Sequence, residues 1–160
     1  MKTMKLLPGL VLALCLTACV SKEKPTEIGR ILTSEEVVTL AGDNSNNGKQ
    51  VAVKGYPAFS RRVVKIDARN FLSITTSPGG DVLIRANVFV SNADKEGTTL
   101  IGTKPRNLVL VTSDNLDITQ AQFILDDYSE PGYGEYLFSG TLICDGDDCY
   151  LDNVSIHKAE

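Results

Sequence analysis

Between Val82 and Val90 the chain alternates with a period of two. Val82, Ile84, Ala86, Val88 and Val90 share one face; Leu83, Arg85, Asn87 and Phe89 share the other. That is the pattern of a half-buried β-strand. Weaker versions recur. Lys49 to Pro57 predicts a strand with Val51, Val53 and Gly55 on one face and Gln50, Lys54 and Tyr56 on the other. Gly55 there predicts a bulge or a sharp bend. Phe71 to Thr76 predicts another strand, closed by the turn residues Ser77-Pro78-Gly79-Gly80. Leu108 to Val111 is short and apolar, and Tyr136 to Ile143 and Tyr150 to His157 are rich in β-branched and aromatic residues. Asp114 to Leu125 fits helix and strand equally. Asp126 to Glu135 (DDYSEPGYGE) reads as a loop, as do the asparagine-rich residues 43 to 48. One helix is indicated. Thr33 and Glu36 have the spacing of a capping box, Leu32 is placed to staple onto Val37, and Ala41-Gly42 marks the end. Many short strands and a single short helix predict an all-β domain, a small barrel or sandwich.

The first residues break this pattern. Lys2 and Lys5 precede an apolar run from Leu6 to Leu16, the length of the apolar core of a signal peptide and too short to span a membrane. The run ends in Leu16-Thr17-Ala18-Cys19, followed by Val20-Ser21. This tetrapeptide resembles the lipobox of bacterial lipoproteins. The resemblance implies cleavage before Cys19, lipidation of its thiol and acylation of its new amino group, so that several acyl chains (palmitate among them) hold the protein at a membrane. It also implies the cell envelope. With no aspartate after Cys19, it implies the outer membrane where the host has two, facing the periplasm or the surface. The expected organisation is a signal peptide over 1–18, a lipidated flexible tether over 19–31 and one β-domain over 32–160.

Four cysteines are present. Cys15 leaves with the signal and Cys19 carries lipid, so Cys144 and Cys149 remain in an oxidising compartment. Strand-like runs flank them, with Asp145-Gly146-Asp147-Asp148 between. A four-residue loop between antiparallel strands would set the two cysteines opposite each other, within reach of a disulfide. A stapled hairpin is therefore expected. Asp145, Asp147 and Asp148 offer a weaker alternative, a calcium-type carboxylate cluster at the tip. Zinc lacks ligands, since His157 is the only histidine. A redox dithiol is disfavoured because three aspartates would raise the thiol pKa.

Charge is unevenly spread. The formal −4 becomes −6 once Lys2 and Lys5 depart. Residues 49 to 69 hold Lys49, Lys54, Arg61, Arg62, Lys65 and Arg69 against Asp67 alone, whereas residues 107 to 157 hold ten acids and no lysine or arginine. The acidic third suits a solvated edge that resists strand pairing, or a surface that attracts cations or basic peptides. No continuous basic footprint argues for nucleic acid.

Gly48-Lys49-x-Val51-x-Val53-x-Gly55 resembles the first strand of OB-fold domains, in particular the tRNA-anticodon-binding-like OB-fold family found in bacterial lipoproteins. The preceding Glu35-Glu36-Val37-Val38, Asn44 to Asn47, and the later Tyr136 to Leu142 and Tyr150 to Ile156 fit the same scheme. Residues 91 to 127 depart from it, lacking the single helix often found between the third and fourth strands. The resemblance implies a ligand face on the second and third strands. On this chain the candidates are Tyr56, Phe59, Arg61, Arg62, Lys65, Arg69, Phe71 and Arg85. Arginines beside aromatics suit an anionic glycan or a peptide carboxylate. The plainer alternative is a core Phe71 and a solvated Arg61-Arg62 loop. Tyr128, Tyr133 and Tyr136 offer either a sugar-stacking loop or ordinary packing. His157 has no evident serine or cysteine partner in the sequence, and no catalytic constellation or cofactor is expected. The expected role is a non-catalytic envelope binding module. The alternative is an accessory lipoprotein that recognises another envelope protein.

Overall fold

The computed structural model describes residues 24–60, 64–93, 105–112 and 116–160. The expected signal peptide over 1–18, Cys19, Arg61 and Arg62 lie outside the described residues. Among the described residues, eight strands and one helix follow in chain order: β1 (Arg30–Leu32), α1 (Ser34–Val38), β2 (Gln50–Phe59), β3 (Ala68–Thr75), β4 (Val82–Asn92), β5 (Leu108–Val111), β6 (Gln122–Ile124), β7 (Tyr136–Asp145) and β8 (Asp148–Lys158). Single turns of 3-10 helix cover Asn44–Asn46 and Ile118–Gln120.

Five strands close a ring. β2 pairs with β3, β3 with β4, β4 with β8, β8 with β7, and β7 with β2 again. Every contact is antiparallel except β4 with β8, joined in parallel at Arg85↔Tyr150 and Ala86↔Leu151. The protein is a small all-β barrel, compatible with an OB-like fold. β1 adds in parallel to β2, and β5 and β6 extend the sheet from the far end of β4. Closure removes most open sheet edge.

The alternation in β4 holds from Ile84 to Val90. Val82, expected on the inward face, is exposed at the start of the strand, and Phe89 is exposed, whereas Ile84, Ala86, Val88 and Val90 are buried. They meet Val51 and Val53 of β2, Leu72 and Ile74 of β3, and Phe138, Leu142, Leu151 and Ile156 of the β7–β8 pair in one aliphatic core. β6 and the residue after it fill one end, with Phe123, Ile124 and Leu125 buried and the Phe123 ring 5.0 Å from that of Tyr136.

Gly55 lies where β2 changes partner. Residues up to Gly55 pair with β7, and Tyr56 onward pair with β3. A Cβ on Gly55 would stand 2.5 Å from the Thr75 carbonyl oxygen and 2.8 Å from Ile74 Cγ2. Close backbone approach is therefore what the glycine permits. Gly55→Ala should lower stability by about 1–3 kcal/mol, the range for overpacking. The urea midpoint of the soluble chain from residue 20 onward checks this, and an unchanged midpoint would refute the close approach.

The helix is capped as its spacing predicts. Thr33 Oγ1 accepts from Glu36 N, and Glu36 accepts from Thr33 N. Leu32 and Val37 are both buried in the core. Residues 24 to 31 differ from the expected free tether. Arg30 and Ile31 belong to β1, Gly29 N donates to Ser139 Oγ at 2.9 Å, and Thr26 bonds Asp126. Segment 24–32 is a strap over β2 and β7. It explains how Leu137 and Ser139 are buried even though they point outward.

The hairpin also corrects one detail. Asp145 and Asp148 remain paired in the ladder, so the turn holds two residues, Gly146 and Asp147, and not four. Gly146 has φ 63° and Asp147 is not at positive φ, as a II′ turn requires. Cys144 and Cys149 face each other as a cross-strand disulfide, with Cα atoms 4.2 Å apart.

Candidate functional site

The outward face of β3, β4 and β8 carries an aromatic and cationic cluster. Register does the assembling. Phe71 is paired with Asn87, Ser73 with Arg85, and Arg85 with Tyr150. The Arg85 guanidinium stands 4.9 Å over the Phe71 ring, and the Tyr150 ring meets Phe71 edge-on at 5.1 Å. Arg85 is ion-paired with Asp148 of the hairpin. Beside it, Asn87 Nδ2 donates to Asp152 Oδ1 at 3.0 Å.

A shallow cavity of about 190 Å³ adjoins this cluster, lined by Phe59, Ser60, Val64, Lys65, Arg69, Asn70 and Phe71. Asn70 closes the loop at its edge. Its Oδ1 accepts from Lys65 N at 2.9 Å, and its Nδ2 donates to the Lys65 and Ala68 carbonyls. Ser60 and Ser73 hydroxyls share a hydrogen bond of 2.9 Å on the floor. Among the described residues, Lys65 and Arg69 show no ion pair, and both are exposed. They are the open cations of the site, whereas Arg85 is already matched by Asp148.

Five of the eight residues expected from sequence thus come together: Phe59, Lys65, Arg69, Phe71 and Arg85. Phe71 is half-buried on the outer face, so it is not a core side chain. Tyr56 lies apart, opposite Thr75 at the end of β3 away from Phe71, its ring 6.3 Å from that of Tyr133. Tyr133 is shifted upward by burial and by nearby Tyr56 and Asp117. Tyr136 packs into the core, and burial pushes it up to about 12. Tyr150, Asn87 and Asp152 belong to the cluster but were not expected. The signal for Tyr150 was its place just after Cys149, on a strand whose alternation turns it outward.

At the hairpin tip, Asp148 is committed to Arg85, which leaves Asp145 and Asp147 exposed. Among the described residues no group of three histidine, cysteine or acidic side chains is arranged to hold a metal ion.

His157 differs from expectation in having a serine partner. Its Nε2 lies 2.8 Å from Ser155 Oγ, two residues back on the same face of β8. Ser155 is only 2% exposed and also reaches the Ser139 carbonyl at 3.4 Å. A nucleophile needs an open approach for substrate, and this hydroxyl lies under the strap. Burial lowers the His157 pKa, although Asp126 and Asp127 pull the other way.

Two further hollows flank the barrel. One, of about 380 Å³, lies between the strap and the end of β8, with Ile28, Ile31, Leu137 and His157 on its walls. The other, of about 330 Å³, separates α1 from β4 and the hairpin. Val38 and Val82 stand at its rim, 72% and 59% exposed.

Comparison of the chain with protein-family models, with curated proteins and with solved structures finds no match. The site therefore carries the functional argument by itself.

Proposed function

We propose that this chain is a lipid-anchored bacterial envelope protein whose OB-like barrel is a non-catalytic binding module. The lipobox Leu16-Thr17-Ala18-Cys19 supports the anchor. The observation that supports the binding face is Phe71 stacked under Arg85 and flanked by Tyr150, beside a cavity rimmed by Lys65 and Arg69. An aromatic floor with two open cations suits a ligand that presents a flat or apolar surface and a carboxylate, such as an acidic glycan or a peptide terminus. Arg61 and Arg62 adjoin the same loop in sequence and would add to its charge. NMR titration of the soluble chain with uronic-acid oligosaccharides, peptidoglycan fragments and acidic peptides tests the reading. Shifts should cluster on Phe59, Arg69, Phe71 and Tyr150. Arg69→Glu with Lys65→Glu should weaken binding about tenfold or more, equivalent to ~1.4 kcal/mol. Equal affinity in the reversed variant would rule this face out.

The exposed Val38–Val82 rim favours a second reading, an accessory lipoprotein that recognises another envelope protein. Apolar capture resists salt, whereas capture by Lys65 and Arg69 weakens with it. A salt series on any captured partner separates the two.

A further inference from the structure

The strap and the anchor together fix which way the barrel faces. Thr26 Oγ1 donates to Asp126 Oδ1 at 2.9 Å, its backbone N–H donates to Oδ2, and Arg106 Nη1 donates to the Lys24 carbonyl at 3.0 Å. Asp126 N in turn donates to the Ile156 carbonyl at 2.8 Å, and Lys158 Nζ bonds Asp127 at 2.9 Å. The chain is thus pinned from Lys24 onward to the pole where β8 ends. Five residue steps separate Lys24 from Cys19. They span at most about 18 Å when fully extended. The opposite pole holds the hairpin. Nine residue steps, about 30 Å of strand, separate Ile156 in β8 from Asp147 at the turn. The turn at Asn44–Asn46 sits on that far side too: Gly48 N bonds the Leu142 carbonyl at 2.7 Å and Asn47 Oδ1 bonds Cys144 N at 3.0 Å.

We propose that the pole around Lys24, Asp126 and Lys158 is the membrane-facing surface of the barrel, held against the bilayer by this short reach, with the hairpin turned away from it. The inference rests on the lipid anchor proposed above. Its consequence is functional. A barrel on a long tether would sample all orientations, whereas this one presents its stapled hairpin, with Asp148 and the Arg85 it holds, to the space beyond the membrane.

The chain has no tryptophan, so a single introduced one reports alone. The full-length lipidated protein would be reconstituted in phosphatidylethanolamine–phosphatidylglycerol vesicles carrying a dansyl headgroup acceptor. Energy transfer would be read from Lys158→Trp and, separately, from Asn44→Trp. Transfer should be several-fold stronger from position 158. A Gly-Ser insertion of roughly 20 residues after Glu23, with an r.m.s. reach of roughly 25 Å, should reduce both signals and erase their difference. Equal transfer from the two positions in acylated protein overturns the orientation alone. A difference that survives the insertion overturns the tether as its cause. An intact mass without acyl chains on Cys19 overturns the anchor and the orientation with it.

Discussion

Truncating Phe138 to alanine should destabilise the barrel by about 3–5 kcal/mol. Phe138 is fully buried on β7, paired across the sheet with Val53 on one side and Ile156 on the other. Its ring also meets Tyr136 edge-on at 6.4 Å. With no tryptophan and five phenylalanines in the chain, aliphatic residues build most of the core, and a lost ring is hard to replace. The surrounding positions belong to closed-ring strands that cannot slide inward without breaking their ladders, so much of the cavity would persist. Urea unfolding of the soluble chain from residue 20 measures the change. Val38→Ala is the control: its side chain is 72% exposed and should shift the midpoint little. A loss below about 1 kcal/mol for Phe138→Ala would mean that the core collapses around the gap.

What the sequence could announce depended on how far a signal had to reach. The alternation of β4 needed only its own residues, because one face meets the core and the other meets solvent. The capping box of α1 spans four residues and was equally local. β1 and β6 were out of reach. Each has three residues, and in β6 both Phe123 and Ile124 are buried, so no alternation exists to read. β8 breaks its own period. Asn153, at φ 48°, introduces a bulge opposite Gly140, so that Leu151 and then Val154 and Ile156 face inward. The binding face shows the same limit. Phe71 and Arg85 lie on neighbouring strands joined by a short turn, and their meeting was foreseeable. Tyr150 reaches them through a parallel pairing between residues 65 positions apart, 85 and 150, which no local pattern encodes. Tyr56 was placed with them because its strand was right. It pairs with Thr75, at the end of β3 away from Phe71, so the length of the strand separates it from the cluster.

Removing Asp126 should cost about as much as removing Phe138, for an electrostatic reason. Asp126 is 1% exposed, and its carboxylate accepts from the Thr26 backbone and hydroxyl and from Asn107 Nδ2 at 2.7 Å. Arg106 Nε lies 3.6 Å away. Asn107, held this way at φ 59°, presents its own Oδ1 to Ile156 N at 2.9 Å. One carboxylate therefore ties the strap, the start of β5 and the end of β8. Asp126→Ala strands these donors, and the loss expected for breaking a buried charged pair is about 3–5 kcal/mol. The pH dependence separates this from a packing loss. Burial favours the protonated acid, but the Asn107 and Thr26 donors and the Arg106 charge outweigh it, and the pKa lies below the ordinary 3.8. The folded state then binds fewer protons than the unfolded chain. The clamp's contribution is present above pH 3.8 and is lost as pH falls through the folded pKa. His157 acts earlier in the same direction. Burial holds it below 6.5, so stability starts to fall as pH drops past that value. Urea midpoints from pH 8 downward, about one pH unit apart, should fall in two stages in the native chain, first through His157 and then through the carboxylates. Asp126→Ala should start lower and fall less steeply in the second stage, the rest of which belongs to other carboxylates held low, Asp127 among them. An acid profile that starts lower but runs parallel to that of the native chain would make the loss one of packing, and an unchanged midpoint at pH 8 would show that the Thr26 and Asn107 contacts to Asp126 do not hold the strap.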